Sequence, residues 1–157
     1  MPIRRYTPAD AAAAGEIFRH AIAVIGARDY TPEQIAAWAG PDGTAERLDA
    51  RLGDGRLALV AVDGGDRVLA FGDLEADGHI DFLYAAPQAA GTGIVSTLYD
   101  ALEAAARAQG IARLYSEASE AARRFFLKKG FVVLDRRDFA VRGVAIHNYA
   151  MEKHLRR

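Results

Sequence analysis

Cysteine is absent from the 157 residues, so the chain has no disulfide, no thiolate metal site and no cysteine nucleophile. Charge of one sign is lacking too: 20 Lys and Arg against 21 Asp and Glu leave a net charge of −1. That balance argues against both a polybasic nucleic-acid binder and an acidic disordered tail. No apolar run approaches the ~20 residues that a membrane-spanning helix needs. The opening "MPIRRYTPAD" has no secretory-signal core. A cytoplasmic protein without nucleic-acid or membrane partners is therefore expected. His20, His147 and His154 show no metal-ligand spacing, so solvated or core roles are expected for them and no metal is expected. What remains is 51% apolar and 26% charged residues, the composition of a soluble globular chain. The length suits one domain over residues 1–157.

Local signals give an order of elements. "IRRY" reads as a short strand, and Thr7-Pro8 opens a helix with Asp10 in its first turn. A second helix starts in "DYTPEQIAAWA", where Thr31 caps, Pro32 leads and Gln34 completes a capping box. "TAERLDARL" makes a third, short helix. From residue 57 the pattern becomes three strands joined by turns at "DGGD" and "ADGH". A long helix runs from about Gly93 to Gln109, with Ile94, Leu98, Leu102 and Ala105 on one stripe. "ARLYSEAS" is a strand, "EAARRFFLKKG" a helix, and the last segment two strands turning at Arg142-Gly143. The order β, helices, βββ, α, β, α, ββ predicts a mixed α/β (α+β) fold, with helices over a mainly antiparallel sheet.

One stretch stands out, "FLYAAPQAAGTGIVSTLYDALEAAA". The first turn of a helix usually attracts Asp or Glu to its unpaired N–H groups, yet here the first acid is Asp100, well past that turn. Gly91 and Gly93 let the backbone bend and a ligand approach closely. Two readings fit: an anion cradle of N–H groups, most naturally for phosphate, or a glycine-rich turn with no ligand. A Walker loop is excluded by the missing lysine, and a dinucleotide fingerprint by Ser96 where its third glycine belongs.

This loop, its place between the fourth strand and a long helix, and the later "FFLKKGF" resemble the GNAT superfamily of acyl-CoA-dependent N-acyltransferases. "ARDYTPEQIAAWA", "GHIDFLY" and "YSEASEAARRFFLKKGF" resemble one branch of small bacterial members. The resemblance covers almost all of the chain and implies the GNAT fold, a mixed, mainly antiparallel seven-stranded sheet flanked by helices. It further implies that the loop grips the pyrophosphate of acetyl-CoA, the co-substrate. Aligned from Pro87 and Ser96-x-Leu98, the family's loop Gln falls on Ala90 and its last glycine on Val95. Ala90, Gly91, Thr92, Gly93, Ile94, Val95 and Ser96 are then the implied loop residues.

The implied reaction is direct attack of an amine on the thioester. In the family the fourth strand pairs with the pantetheine arm; the matching residues are Phe82, Leu83, Tyr84 and Ala85, with the Leu83 N–H facing the oxyanion. Side chains alternate along a strand, which puts His79, Asp81 and Leu83 on one face. The resemblance makes Asp81 and His79 the candidate bases. The alternative is a solvated hairpin rim. The family's usual acid, a tyrosine, aligns with Phe126, which has no proton to give. Ser119 aligns with a frequent Asn and is implied to meet the pantetheine or thiol. Tyr84 and Tyr115 are spare hydroxyls or packing groups. Arg123, Arg124, Lys128 and Lys129 either meet nucleotide phosphates or complement a helix end. Acceptor selection in the family points to Tyr30 and Trp38, which either line the substrate site or pack between helix and sheet. The expected activity is acetyl transfer to a small-molecule or peptide amine; the rivals are a non-catalytic acyl-CoA sensor and a module that binds no nucleotide. The last strands offer a face for homodimerisation.

Overall fold

The computed structural model describes residues 2–155. Strand β1 (Ile3–Arg5) is followed by a short 3-10 turn and helix α1 (Ala11–Val24), then α2 (Pro32–Ala39) and α3 (Ala45–Leu52). Strands β2 (Leu57–Val62), β3 (Val68–Leu74) and β4 (Leu83–Ala85) lead into α4 (Ile94–Ala108). Strand β5 (Arg113–Ala118), helix α5 (Glu120–Lys128) and the hairpin β6 (Val132–Val141) and β7 (Val144–His154) complete the chain. The seven expected strands are present, divided into two sheets ordered β1-β2-β3-β4 and β5-β7-β6.

Helix ends follow their local signals. Thr31 Oγ1 accepts from the Gln34 N–H at 3.2 Å, and the Gln34 side-chain oxygen accepts from the Thr31 N–H at 2.9 Å, a reciprocal cap. The same Gln34 donates to the Ala145 carbonyl at 3.0 Å, tying α2 to β7. On the first sheet, alternation sends Phe71, Phe82 and Tyr84 to one face, where they meet Phe18 of α1 or one another. Gly72 lies on the opposite face, and a side chain there would press on Leu83 and on Leu102 of α4. Each face of the first sheet thus buries one helix. The α4 stripe is Ile94, Leu98, Tyr99, Leu102 and Ala106, so Ala106 rather than Ala105 is its last fully buried member.

A narrow seam joins the sheets. The Ile80 N–H donates to the Tyr115 carbonyl at 2.9 Å, and the Tyr115 N–H to the Gly78 carbonyl at 3.1 Å, a short parallel ladder. Gly78 has φ +98°, and a Cβ there would collide with the Arg113 carbonyl, so only glycine brings the strands this close. The ladder then stops: the Ile80 carbonyl accepts from the Ser116 hydroxyl at 2.7 Å in place of a backbone N–H. Beyond that point β4 and β5 part.

Candidate active site

The parting of β4 from β5 has a definable cause, the buried Asp73 on β3. Its Oδ1 accepts from two consecutive backbone N–H groups, Asp81 at 2.9 Å and Phe82 at 2.7 Å. One acceptor for two successive amides kinks the chain, just as a bulge does, and strict alternation fails there. Its Oδ2 accepts from Arg56 at 2.6 Å. Burial pushes the Asp73 carboxyl up to about 6, against the hydrogen bonds that favour its charge.

Asp73, Glu75 and Asp81 form a carboxylate cluster compact enough to suggest a cation site. An Arg56 guanidinium nitrogen lies among them, 2.6 Å from Asp73, 3.0 Å from Asp81 and 3.6 Å from Glu75. Arginine supplies the positive charge that these groups need.

After the kink the ladder with β3 resumes, since the Ala86 N–H donates to the Leu69 carbonyl at 2.8 Å and the Phe82 carbonyl accepts from the Asp73 backbone N–H at 3.1 Å. Antiparallel bonding alternates, so the even-numbered residues face β3, while the backbone groups of Leu83 and Ala85 face the gap. The gap deepens into a cavity of about 490 Å³ running from the glycine loop to α2 and the β6–β7 tip. Leu83, Tyr84, Ala85, Ala90, Gly91, Val95, Ser119, Phe126, Tyr30, Trp38 and Asp81 all line it, whereas His79 does not.

At one end the chain leaves β4 through a 3-10 turn at Pro87–Ala89 and enters α4 at Ile94. Gly91 and Gly93 hold φ of +78° and +85°, and no protein atom approaches where their side chains would be. Helix α4 has no side-chain cap and no acid in its first turn. The N–H groups of Ile94, Val95 and Ser96 have no carbonyl within the helix to take them, and this end carries uncompensated positive character. Thr92 does not point its hydroxyl to this site; it donates to the Ala89 carbonyl.

Ser119 caps α5, its Oγ accepting from the Ala122 N–H at 3.3 Å, which leaves its O–H free to donate. Phe126 is buried and packs with Tyr99, Phe125 and Phe131. Tyr30 is buried; its hydroxyl donates to the His147 carbonyl at 3.0 Å and accepts from the Glu120 N–H at 3.1 Å. Trp38 stands edge-on to Tyr30 at 5.5 Å and is half-buried. Tyr115, the other spare hydroxyl, donates to Asp77 at the rim. Arg124 and Lys129 are paired with Asp29 and Asp100 at 2.8 and 2.9 Å, and Arg123 lies over the Tyr149 ring.

Of the three residues expected on one face, Asp81 and Leu83 line the cavity and His79 does not. His79 turns to the seam, with Nδ1 2.8 Å from Glu75 and Nε2 2.7 Å from Glu117. The hydrogen bond to Glu117 raises it most and that to Glu75 adds, against burial, to about 9. At neutral pH both its nitrogens carry protons and neither offers a lone pair. Asp81 does face the cavity, but Arg51 and Arg56 both bind its carboxylate. Sequence reasoning missed the pair of Glu120 and His147: His147 lines the cavity, and its Nε2 lies 2.6 Å from a Glu120 carboxylate oxygen. The signal was faint: a histidine and a tyrosine two apart on the last strand, and a glutamate at a helix start.

Comparisons with known proteins agree with this arrangement. The chain is 28% identical over 151 residues to the Escherichia coli (strain K12) protein named uncharacterized N-acetyltransferase YafP, covering 96% of this chain and 94% of that one. A solved structure from Rhodopseudomonas palustris, described as a GCN5-related N-acetyltransferase and as an aminotransferase of class II, superposes with a TM-score of 0.91 at 38% identity. That match covers 98% of this chain and 95% of the other. PaiA N-acetyltransferase from Thermoplasma acidophilum, solved in complex with coenzyme A, shares the fold at a TM-score of 0.79 and 22% identity, over 98% of each chain. The family model for the acetyltransferase (GNAT) domain matches residues 26–153, which takes in the kinked strand, the bare loop and the cavity between the sheets: the chain belongs to the GNAT acetyltransferases.

Proposed function

We propose that this acetyltransferase uses acetyl-CoA and moves the acetyl group to the amine of a small molecule or peptide. The observation that carries the reading is the gap between β4 and β5, walled by unpaired backbone groups and ending at an uncapped helix N-terminus. An extended pantetheine arm completes the interrupted ladder by pairing with Leu83 and Ala85. The pyrophosphate meets the N–H groups from Gly91 to Ser96, and Val95 and Phe126 supply apolar wall. The Leu83 N–H is aimed at the thioester oxygen, where negative charge grows as the amine attacks.

The CoA thiolate then leaves. A thiol pKa is moderate, about 8.5 for cysteine, so departure needs no strong acid. The Ser119 O–H is placed to donate a hydrogen bond to the sulfur, and Phe126 accounts for the absence of a phenol. The far end of the cavity is built from Ile25, Trp38, Phe139, Val141 and Ile146. It suits an amine borne on an apolar body, with Tyr30 and Trp38 as its aromatic walls.

The test is calorimetric titration of the protein with acetyl-CoA and with CoA, repeated on Gly91→Glu and Gly91→Ala. Two like charges ~4 Å apart at an effective dielectric of ~20 repel by about 4 kcal/mol, so the glutamate variant should bind at least ~100-fold more weakly. The alanine variant separates backbone strain from charge. Binding by the parent, lost in the glutamate variant, followed by CoA release with an amine panel, supports the reading. Saturable binding with no CoA release across the panel would favour the acyl-CoA sensor, for which Phe126 is the motive. No binding at all would remove both.

A further inference from the structure

Transfer to an amine needs a group that removes a proton from the ammonium form of the acceptor. The two groups suggested by strand alternation are poorly suited, as His79 is held at the seam and Asp81 is held by two arginines. Another titratable side chain in the cavity wall has no task so far.

His147, on β7, gives its Nε2 to Glu120, and the same carboxylate oxygen accepts from the Tyr149 hydroxyl at 2.8 Å. The Tyr30 ring lies 5.3 Å from the imidazole, and the Tyr30 hydroxyl holds the His147 carbonyl. Ring and backbone are therefore both fixed. The His147 side chain is 16% exposed. Its Nδ1 has no hydrogen-bond partner among the described residues, yet the single buried side-chain polar atom without a partner there is Arg123 Nε. Nδ1 is thus the accessible nitrogen, on a residue that lines the cavity together with Leu83 and Ser119.

The tautomer follows from the partner. Burial pushes the Glu120 carboxyl up, but the hydrogen bonds from His147 and Tyr149 outweigh it and hold the group below its ordinary value. An ionised carboxylate only accepts, so Nε2 carries the hydrogen and the lone pair of a neutral ring sits on Nδ1. Other charged groups around the ring come from each packed element. Arg123 of α5 lies 3.6 Å from Glu120, and Asp29 from the α1–α2 connection is paired with Arg124. Across the hairpin, Asp138 is the register partner of His147 and is bound to Arg136 at 3.2 Å.

We propose that His147 is the general base of the transfer, accepting the acceptor's proton at Nδ1, and that Glu120 is its positioning residue. This rests on the amine-transfer reading above. The ammonium gives one proton to Nδ1; the freed nitrogen lone pair attacks the thioester carbon and forms the C–N bond. The C–S bond then breaks, and the second nitrogen proton passes to the departing sulfur through Ser119 or solvent. His147 releases its proton to solvent, leaving amide, CoA thiol and one proton.

The experiment compares steady-state rates of the parent, His147→Gln and Glu120→Gln on the best amine of the panel across about pH 5.5 to 10, with calorimetric acetyl-CoA affinity as the readout of folding. For His147→Gln the turnover number should fall by ~10²–10⁴ near neutrality, while acetyl-CoA affinity stays within about twofold. Its rate should climb with pH toward the pKa of the free amine, without the parent's acid limb. For Glu120→Gln the turnover number should fall by at least about tenfold with the KM for the amine within about twofold, because an amide can also donate and no longer fixes the hydrogen on Nε2. A His147→Gln rate within about threefold of the parent, with the acid limb kept, overturns the proposal. If that variant fails to fold, a Glu120→Gln turnover number within about twofold of the parent overturns it instead. A parent that binds acetyl-CoA but acetylates no amine removes the transfer reading, and this proposal with it, an outcome distinct from either variant result.

Discussion

Raising the pH should unfasten the seam between the sheets, and His79 allows the effect to be worked out. Its imidazolium sits between Glu75 and Glu117, and its ring lies 4.8 Å from the Tyr115 ring. A rise from 6.5 to about 9 corresponds by linkage to roughly 3 kcal/mol of stability at low pH. The imidazole is 16% exposed, but Glu75 and Glu117 are 35% and 37% exposed, so solvent screening reduces this to about 1–2 kcal/mol. The folded value lies above the unfolded one. The contribution is therefore complete below about pH 6.5, shrinks as the pH rises and is gone once it passes about 9. Urea unfolding of the parent and of His79→Gln at a series of pH values isolates this share, because other titrations cancel in the difference. The parent should be more stable by about 1–2 kcal/mol near pH 6, with the gap closed near pH 10. A gap of equal size at both ends of the series would refute the argument.

Other perturbations follow from the same geometry. Asp73→Ala leaves two backbone N–H groups without their acceptor and takes one carboxylate from the buried Arg56, and should cost about 3–5 kcal/mol in urea unfolding, with Asp73→Asn milder because it keeps Oδ1. A loss below about 1 kcal/mol would show that the kink does not depend on this carboxylate. Gly93→Ala places a Cβ at φ +85° in open space, so only backbone strain of about 1–2 kcal/mol is expected, read as a lowered Tm. Arg142 donates to the Ala37 carbonyl at 2.6 Å and pins the β6–β7 tip to the end of α2. Arg142→Ala should raise KM for the amine roughly five- to tenfold and leave acetyl-CoA affinity unchanged; equal losses in both would place its role elsewhere.

The sequence was most legible where a few neighbouring residues decide the outcome. Thr31 with Gln34, Arg142-Gly143 and the two positive-φ glycines before α4 carry their conformations in their own chemistry, and each stands where local reading put it. The same holds for the seven strands and their order. What escaped was set by partners far apart in the chain. Nothing in "FGDLE" marks its Asp for burial, yet Asp73 is buried, with Arg56 from before β2 as its partner. With its carboxylate taking the N–H groups of Asp81 and Phe82, the chain kinks there and β4 keeps three residues. His147 and Glu120 meet only because β7 pairs with β5 in the register that sets Tyr149 opposite Ala118. No spacing in the sequence announces that.

The division into two sheets also partitions the protein's freedom to change. The glycine loop, β4 and α4 belong to the first sheet; α5, His147 and the hairpin tip that reaches α2 belong to the second. The cofactor end and the acceptor end of the cavity thus rest on different hydrogen-bonded sheets, which meet along the seam at Gly78, Ile80, Tyr115 and Ser116. Substitutions in the hairpin or in α2 can reshape one end without shifting the backbone amides of the other. A lineage built this way can exchange one acceptor for another while its handling of the acyl donor stays constant.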